Sequence, residues 1–283
     1  MKKWVDFLCF FVPRKKWRKS IRKLLIRERL LSLGFQIVEI DGVRVAQKNS
    51  LYFGDVFGTD ALPILEEIFV HEDYNFNVGA DAVVIDIGMN IGFASLYFAA
   101  REDVKAVYGF EPFKPTFERA VLNFKINEKT ARKIHPCSYG LGDSDKTLTI
   151  DYYAEKPGGM STVRSIHEIR RHSRHNTRPE TVQIKNAATE IKTIIERHRD
   201  QKIVLKCDTE GAEKEIFENL DAAGILKEID VILLEYHFSY DIPLEGILKR
   251  NGFVYFKQKK CTTKTGDLGV MQAVKSNLQK NVC

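Results

Sequence analysis

The sequence predicts a doubly wound α/β fold with a mostly parallel sheet, and three observations carry that prediction. Short apolar runs at 82–87, 105–110, 202–207 and 229–235 have the length and composition of strands buried on both faces. Amphipathic stretches follow them, and strands alternating with helices pair in parallel through right-handed crossovers. A glycine-containing turn, Asp86 to Gly92, closes the first run, and sheets of this kind hold their ligands at the carboxyl ends of the strands.

The remaining elements fall around that frame. Residues 37–45 (IVEIDGVRV) alternate apolar and polar about Asp41-Gly42, a pair that supplies the positive φ of a type I′ hairpin turn. Pro115 starts a helix with Phe117, Val121 and Phe124 on one face, and Ala212, Ile216, Phe217 and Leu220 form a second stripe. Residues 134–153 read as strand material with a turn at 142–145. Leu244, Ile247 and Leu248 lead to a helix stop at Asn251-Gly252, before strands at 253–256 and 268–274. The expected organisation is a basic lead at 1–32, an accessory hairpin or cap at 33–79, a main domain at 80–275 and a tail at 276–283.

Composition narrows the partners. A hydrophobic share of 44% and a charged share of 29% support a packed core rather than wholesale disorder. The five cysteines, Cys9, Cys137, Cys207, Cys261 and Cys283, are far apart, which argues against a disulfide framework or zinc site and fits a reducing compartment. Residues 1–31 hold eleven Lys/Arg against Asp6 and Glu28, a local balance of +9 within a total of +6, so the rest of the chain carries −3. Charge confined to one segment is the signature of a separate partner, not of a body that grips nucleic acid. Trp4–Val12 is too short to cross a bilayer and lacks a signal-peptide cleavage site. The stretch after Pro13 places Trp17, Ile21, Leu24, Leu25 and Leu31 among nine cations, the pattern of a helix lying on an anionic membrane. The bland alternative is a basic helix packed by its leucines. The expected location is cytoplasmic, at the inner face of the membrane.

Asp86, Gly88, Asn90 and Gly92 form the turn that opens the next helix, where glycine permits tight turning and close ligand approach. Glu111 closes the second run, placed to accept both hydroxyl protons of a ribose. A dinucleotide would want G-x-G-x-x-G for its pyrophosphate, but here Asn90 occupies the middle position and Gly92 comes one residue early. A phosphate-free adenosyl cofactor, S-adenosylmethionine, fits better. Asp143, or the backbone near Ser138–Tyr139, is a candidate for the adenine.

These residues resemble the FkbM family of methyltransferases, whose D-x-G-x-N-x-G turn stands here as Asp86–Gly92. The E-P pair stands as Glu111-Pro112, the K-x-D-x-E-G-A-E block as Lys206–Glu213, and Leu234-Glu235-Tyr236-His237 follows at the fifth strand. The similarity covers about 80–256, and its departures are Met89, where a small residue is usual, and Thr189-Glu190, where Leu-Asp is common. The resemblance implies a Rossmann-like class I methyltransferase domain and methyl transfer, usually to a hydroxyl oxygen, in natural-product or cell-surface glycan pathways.

A sugar hydroxyl attacks poorly until its proton is removed, so a base is sought beside the turn. Asp208, Glu210, Glu235 and His237 lie at the ends of strands four and five and are the candidates. Asp208, Glu210 or Glu213 could instead cap the following helix. The four candidates could hold a divalent cation, but no sharp ligand spacing marks one and no metal is predicted. Residues 164–178, with five Arg and three His, read either as a solvated loop or as a lid gripping an anionic acceptor such as an activated sugar. Three other classes compete: a metal-dependent glycosyltransferase using Asp208 and Glu210, a nicotinamide oxidoreductase, and a non-catalytic scaffold of the same fold.

Overall fold

The computed structural model describes residues 15–54, 56, 61–78, 81–153, 160, 162, 177–237, 244–263 and 266–276. Trp4–Val12 and most of the basic 164–178 stretch therefore lie outside the described residues. The chain divides into two compact units, Met1–Asp73 and Tyr74–Cys283.

The first unit runs α1 (Lys15–Ser32), β1 (Gln36–Ile40), β2 (Val43–Lys48), β3 (Leu51–Phe53) and α2 (Leu62–Phe69), with the strands paired antiparallel in chain order. The hairpin turn falls at Asp41 and Gly42, both at positive φ (49° and 77°), as a type I′ turn demands. Ile26 and Leu30 of α1 are buried, as are Leu65 and Ile68 of α2, and Arg29 pairs with Glu66 at 2.5 Å. Phe35, Phe53 and Phe69 meet edge-on or tilted at 5.0–6.2 Å between centroids, a geometry that aromatic rings favour.

The second unit is built on β4 (Ala82–Ile87), β5 (Val104–Phe110), β6 (Ile134–Cys137), β10 (Lys202–Cys207), β11 (Val231–Tyr236), β12 (Phe253–Thr263) and β13 (Gly266–Lys275). They form one sheet in the order β12-β13-β11-β10-β4-β5-β6. All neighbours are parallel except β13, which runs antiparallel to β11 and β12. Strand order reverses between β4 and β10, so the switch-point cleft opens at their carboxyl ends. Helices α3 (Phe93–Ala99), α4 (Lys114–Lys125), α6 (Ala187–Arg197), α7 (Glu213–Ala222) and α8 (Leu244–Arg250) serve the crossovers, and α5 (Glu128–Ala131) is a single turn. A second sheet, β7 (Gly140–Gly142), β9 (Arg178–Asn186) and β8 (Lys146–Tyr152), packs Ile150, Tyr152, Val182 and Ile184 with Phe113.

The structure departs from the pattern in two places. On α4 the buried stripe is Thr116, Ala120, Asn123 and Phe124, with Phe117 and Val121 only half-buried. Asn123 faces inward and its amide donates to the Ile91 carbonyl at 2.9 Å, and Phe124 fills the space that Gly92 leaves open. Residues 178–197, which show no assigned element in the sequence reading, form β9 and α6. Asn186 caps α6 by accepting from the Thr189 N–H at 3.0 Å.

Candidate active site

The turn after β4 is held from below. Asp86 is fully buried; its Oδ2 accepts from Ser95 Oγ at 2.6 Å, and its Oδ1 lies 2.9 Å from Lys206 Nζ on the neighbouring strand, where the two residues are in register. Lys206 also donates to the Gly88 carbonyl at 2.7 Å. Burial alone would lower the pKa of this lysine, but Asp86 and Asp208 raise it, so it stays an ammonium. Gly88 sits at φ 78°, and a Cβ there would stand 1.8 Å from the Asp208 carbonyl oxygen, so the approach of β10 to this turn admits only glycine. Met89 fits because Gly109 has no side chain: a Cβ there would meet Met89 Sδ at 2.3 Å. That accommodates the larger residue at a position where a small one is usual.

Glu111, 6% exposed, faces the same cleft. Its Oε2 accepts from the Asn90 N–H and its Oε1 from the Phe113 N–H, each at 3.0 Å. A carboxylate has about four acceptor positions, so two remain for a ligand. Burial pushes Glu111 up to about 7, against the pull of the two N–H groups and Lys206. Asn90, at φ 54°, has its Oδ1 buried with no hydrogen-bond partner, an orphan that a ligand donor would satisfy. The cleft encloses about 560 Å³ of empty space, its mouth included. Phe113, Leu141, Met160 and Ile184 form its apolar wall, and Asp208 and Glu210 line its other end.

At that end Asp208 Oδ2 accepts from the Tyr74 hydroxyl at 3.3 Å, and Tyr74 packs on Phe98. Glu210 takes φ 59°, unusual for a residue with a side chain. One oxygen of buried Glu213 shapes this loop: Oε1 accepts from the N–H groups of Thr209 and Gly211, from Thr209 Oγ1 and from His237 Nδ1, all at 3.0–3.1 Å. The Nε2 of His237 stands 3.4 Å from Glu210 Oε2. Burial would lower the pKa of His237, but the charge and hydrogen bond of Glu213, with Glu210 and Asp208 nearby, lift it to about 10. Burial would raise Glu213, yet His237 and the Gly211 N–H bring it below the ordinary range.

The structure brings Gly88, Asn90, Glu111, Asp208 and Glu210 to one cleft, and sends the other expected residues elsewhere. Asp86 lies beneath the turn, committed to Lys206 and Ser95. Gly92 forms the N-terminus of α3 at φ 82° against Phe124. Glu235 is drawn to Lys260 on β12 at 3.3 Å. Asp143 binds Lys146 at 2.9 Å, and its carbonyl accepts from Asn186 and Asn219; Gly140 and Leu141 line the cleft instead. His237 is engaged by Glu213 at Nδ1 and faces Glu210 from Nε2, so it braces the loop and is not among the residues that line the cleft. Tyr74 carries no signal in the sequence pattern, and Lys206 and Glu213, marked there only as part of a motif block and as a possible helix cap, take supporting roles in the site. A lysine inside the apolar run KIVLKC was the available signal, since a buried lysine is rare unless paired. Among the described residues no group of three His, Cys, Asp or Glu side chains is placed to hold a metal.

A seven-stranded sheet with one reversed strand, a glycine turn at its switch point and an acid closing the next strand together define a methyltransferase-type α/β domain. Residues 86–255 match the family model of the methyltransferase FkbM domain, and the chain belongs to that family. Methyltransferase 1 of Beauveria bassiana is 24% identical over 196 residues, covering 64% of this chain and 76% of its own length. AMB antimetabolite synthetase AmbE of Pseudomonas aeruginosa is 31% identical over 229 residues, covering 67% of this chain; the chain spans only 10% of that protein. Among solved structures, an FkbM methyltransferase from Methylobacillus flagellatus KT superposes with a TM-score of 0.45 at 16% identity, over 72% of this chain and 46% of its own.

Proposed function

We propose that the protein moves a methyl group from S-adenosylmethionine to a hydroxyl oxygen of a sugar, in the assembly of a cell-surface glycan or natural product. The observation that carries this reading is Glu111, an acid at the second strand end, held by two backbone N–H groups with two acceptor positions left for the ribose hydroxyls. The orphaned Asn90 Oδ1 supports it, because a cofactor with an amino group supplies the missing donor. When bound, S-adenosylmethionine supplies an electrophilic methyl carbon on a sulfonium.

The chain must then orient the acceptor oxygen and take its proton. Asp208 is the proton acceptor. It lines the cleft, and Tyr74 occupies one of its oxygens and leaves the other. Glu213 and His237 hold the loop that carries Asp208 and Glu210. The basic 164–178 stretch suits an acceptor that bears phosphate or carboxylate, such as a nucleotide- or lipid-linked sugar.

The test is transfer of a radiolabelled methyl group to a panel of free, nucleotide-linked and lipid-linked sugars. Alkali-stable label on the sugar is expected. Label found only on nitrogen, or only as an alkali-labile ester, would overturn the hydroxyl assignment.

A further inference from the structure

Away from the cleft, basic groups gather around one tyrosine. Tyr108 of β5 is 6% exposed and lies on the sheet face that α6 and α7 cover. Its hydroxyl stands 2.9 Å from His198 Nε2 and accepts from Arg197 Nη1 at 3.4 Å. His135 of edge strand β6, in register with Tyr108, stacks on the phenol at 4.6 Å between centroids. The phenol has one proton, and among the described residues His198 Nε2 is the acceptor that meets it. That nitrogen is therefore bare, and the His198 proton sits on Nδ1. Among the described residues no carboxylate pairs with Arg197, His198 or His135, and the His135 ring nitrogens and His198 Nδ1 bond to nothing. None of the four residues lines the cleft.

A helix C-terminus favours positive charge, which accounts for Arg197 at the end of α6. It does not account for His135, which a different element delivers. Burial, then the nearby Arg197 and His198, keep His135 below the ordinary imidazole range. The His198 ring meets the phenol at 66° and the His135 ring at 18°, so the donors do not share a plane. A tetrahedral oxyanion presents oxygens in several directions, whereas a carboxylate offers two in one plane, and an arginine fork suits phosphate well. We propose that Arg197, His198 and His135 form a phosphate site, taking inorganic phosphate or the phosphate group of a small metabolite. This is independent of the methyl-transfer reading.

The experiment is calorimetric titration of the full chain with inorganic phosphate, glycerol 3-phosphate and acetate, in chloride buffer near physiological ionic strength. Saturable binding of a phosphate compound is expected, and none of acetate. Binding of inorganic phosphate alone assigns the free ion, and binding of the ester assigns a metabolite. Arg197→Gln and His135→Ala should each weaken binding at least about tenfold, as for a lost hydrogen bond to a charged group. Lys192→Gln, the same charge change about 140° around α6, should bind like the parent. All three side chains are exposed, so thermal midpoints without ligand should match, and a lowered midpoint in one site variant leaves the other to decide. The proposal is overturned if neither phosphate compound binds, or if acetate binds as tightly. It is also overturned if His135→Ala binds like the parent, or if Arg197→Gln and Lys192→Gln behave alike.

Discussion

The two ends of the cleft are built by different means. At the β4–β5 end, Gly88, Asn90 and Glu111 present backbone and one acid, ordered by hydrogen bonds within twenty-odd residues of chain. At the β10–β11 end, polar and ionisable side chains pair with one another: Asp208 with the Tyr74 hydroxyl, Glu213 with His237, His237 with Glu210. The first end is preformed with vacant acceptor capacity. The second depends on a balance of charges, so the protonation state of any one group there is a property of the cluster. Lys206 joins the two ends, since it bridges Asp86 and Gly88 on one side and faces the charge of Asp208 on the other.

The junction of the two ends is most vulnerable at Lys206. Lys206→Met leaves Asp86 buried with only Ser95 as partner, and loss of one member of a buried pair costs about 3–5 kcal/mol. The urea midpoint of unfolding should fall accordingly; a drop of less than about 1 kcal/mol would show that the two ends are not joined here.

Asp208→Asn should lower turnover at saturating cofactor by at least about tenfold, the low side of general-base effects, while cofactor affinity stays within about twofold. His237→Asn, which keeps the Nδ1-type donor to Glu213, should be milder than His237→Ala. Equal losses would mean that the ring acts on the acceptor rather than on the loop.

A gentler probe of the first end is pH. Glu111 has its pKa raised from 4.5 to about 7. The folded, ligand-free protein therefore holds an extra proton between those values, and the stability linked to this group falls as pH rises through that window. The ribose needs the ionised form, so affinity for S-adenosylhomocysteine should strengthen by about tenfold from pH 6 to pH 8, the change in ionised fraction across a pKa near 7. Glu111→Gln should flatten that profile. Smallest of all, Tyr74→Phe removes one hydroxyl from Asp208 and should cost only a few-fold in turnover, about 1 kcal/mol, with cofactor affinity unchanged.

How much of this the sequence revealed follows the same division. The glycine turn and Glu111 were legible because each role is local: a strand end, a turn residue, an acid at the next strand end. The Asp41-Gly42 hairpin was legible for the same reason. His237 was visible as a residue but not as a brace of the loop, because its partner Glu213 stands 24 positions away in the chain. Glu235 looked equivalent to Asp208 until β12 delivered Lys260 to it. In α4, apolar size suggested Phe117 as the inward residue, yet the buried face carries Asn123, whose amide finds a partner in the Ile91 carbonyl. Helix α6 does carry its own signal, an Asn186 cap and the stripe Ala187, Ala188, Ile191 and Ile194, but the aperiodic basic stretch before it masked where the pattern resumes.

In the proposed function Glu111 holds a ribose next to a sulfonium with no diphosphate between. Calorimetric titration of the full chain with S-adenosylhomocysteine, NAD, and UDP-glucose with manganese tests it most directly. Saturable heat is predicted with S-adenosylhomocysteine alone, weakened about a hundredfold in Glu111→Ala, as expected for two lost hydrogen bonds to a charged group. Silence with S-adenosylhomocysteine alongside tight binding of either phosphate-bearing nucleotide would contradict it.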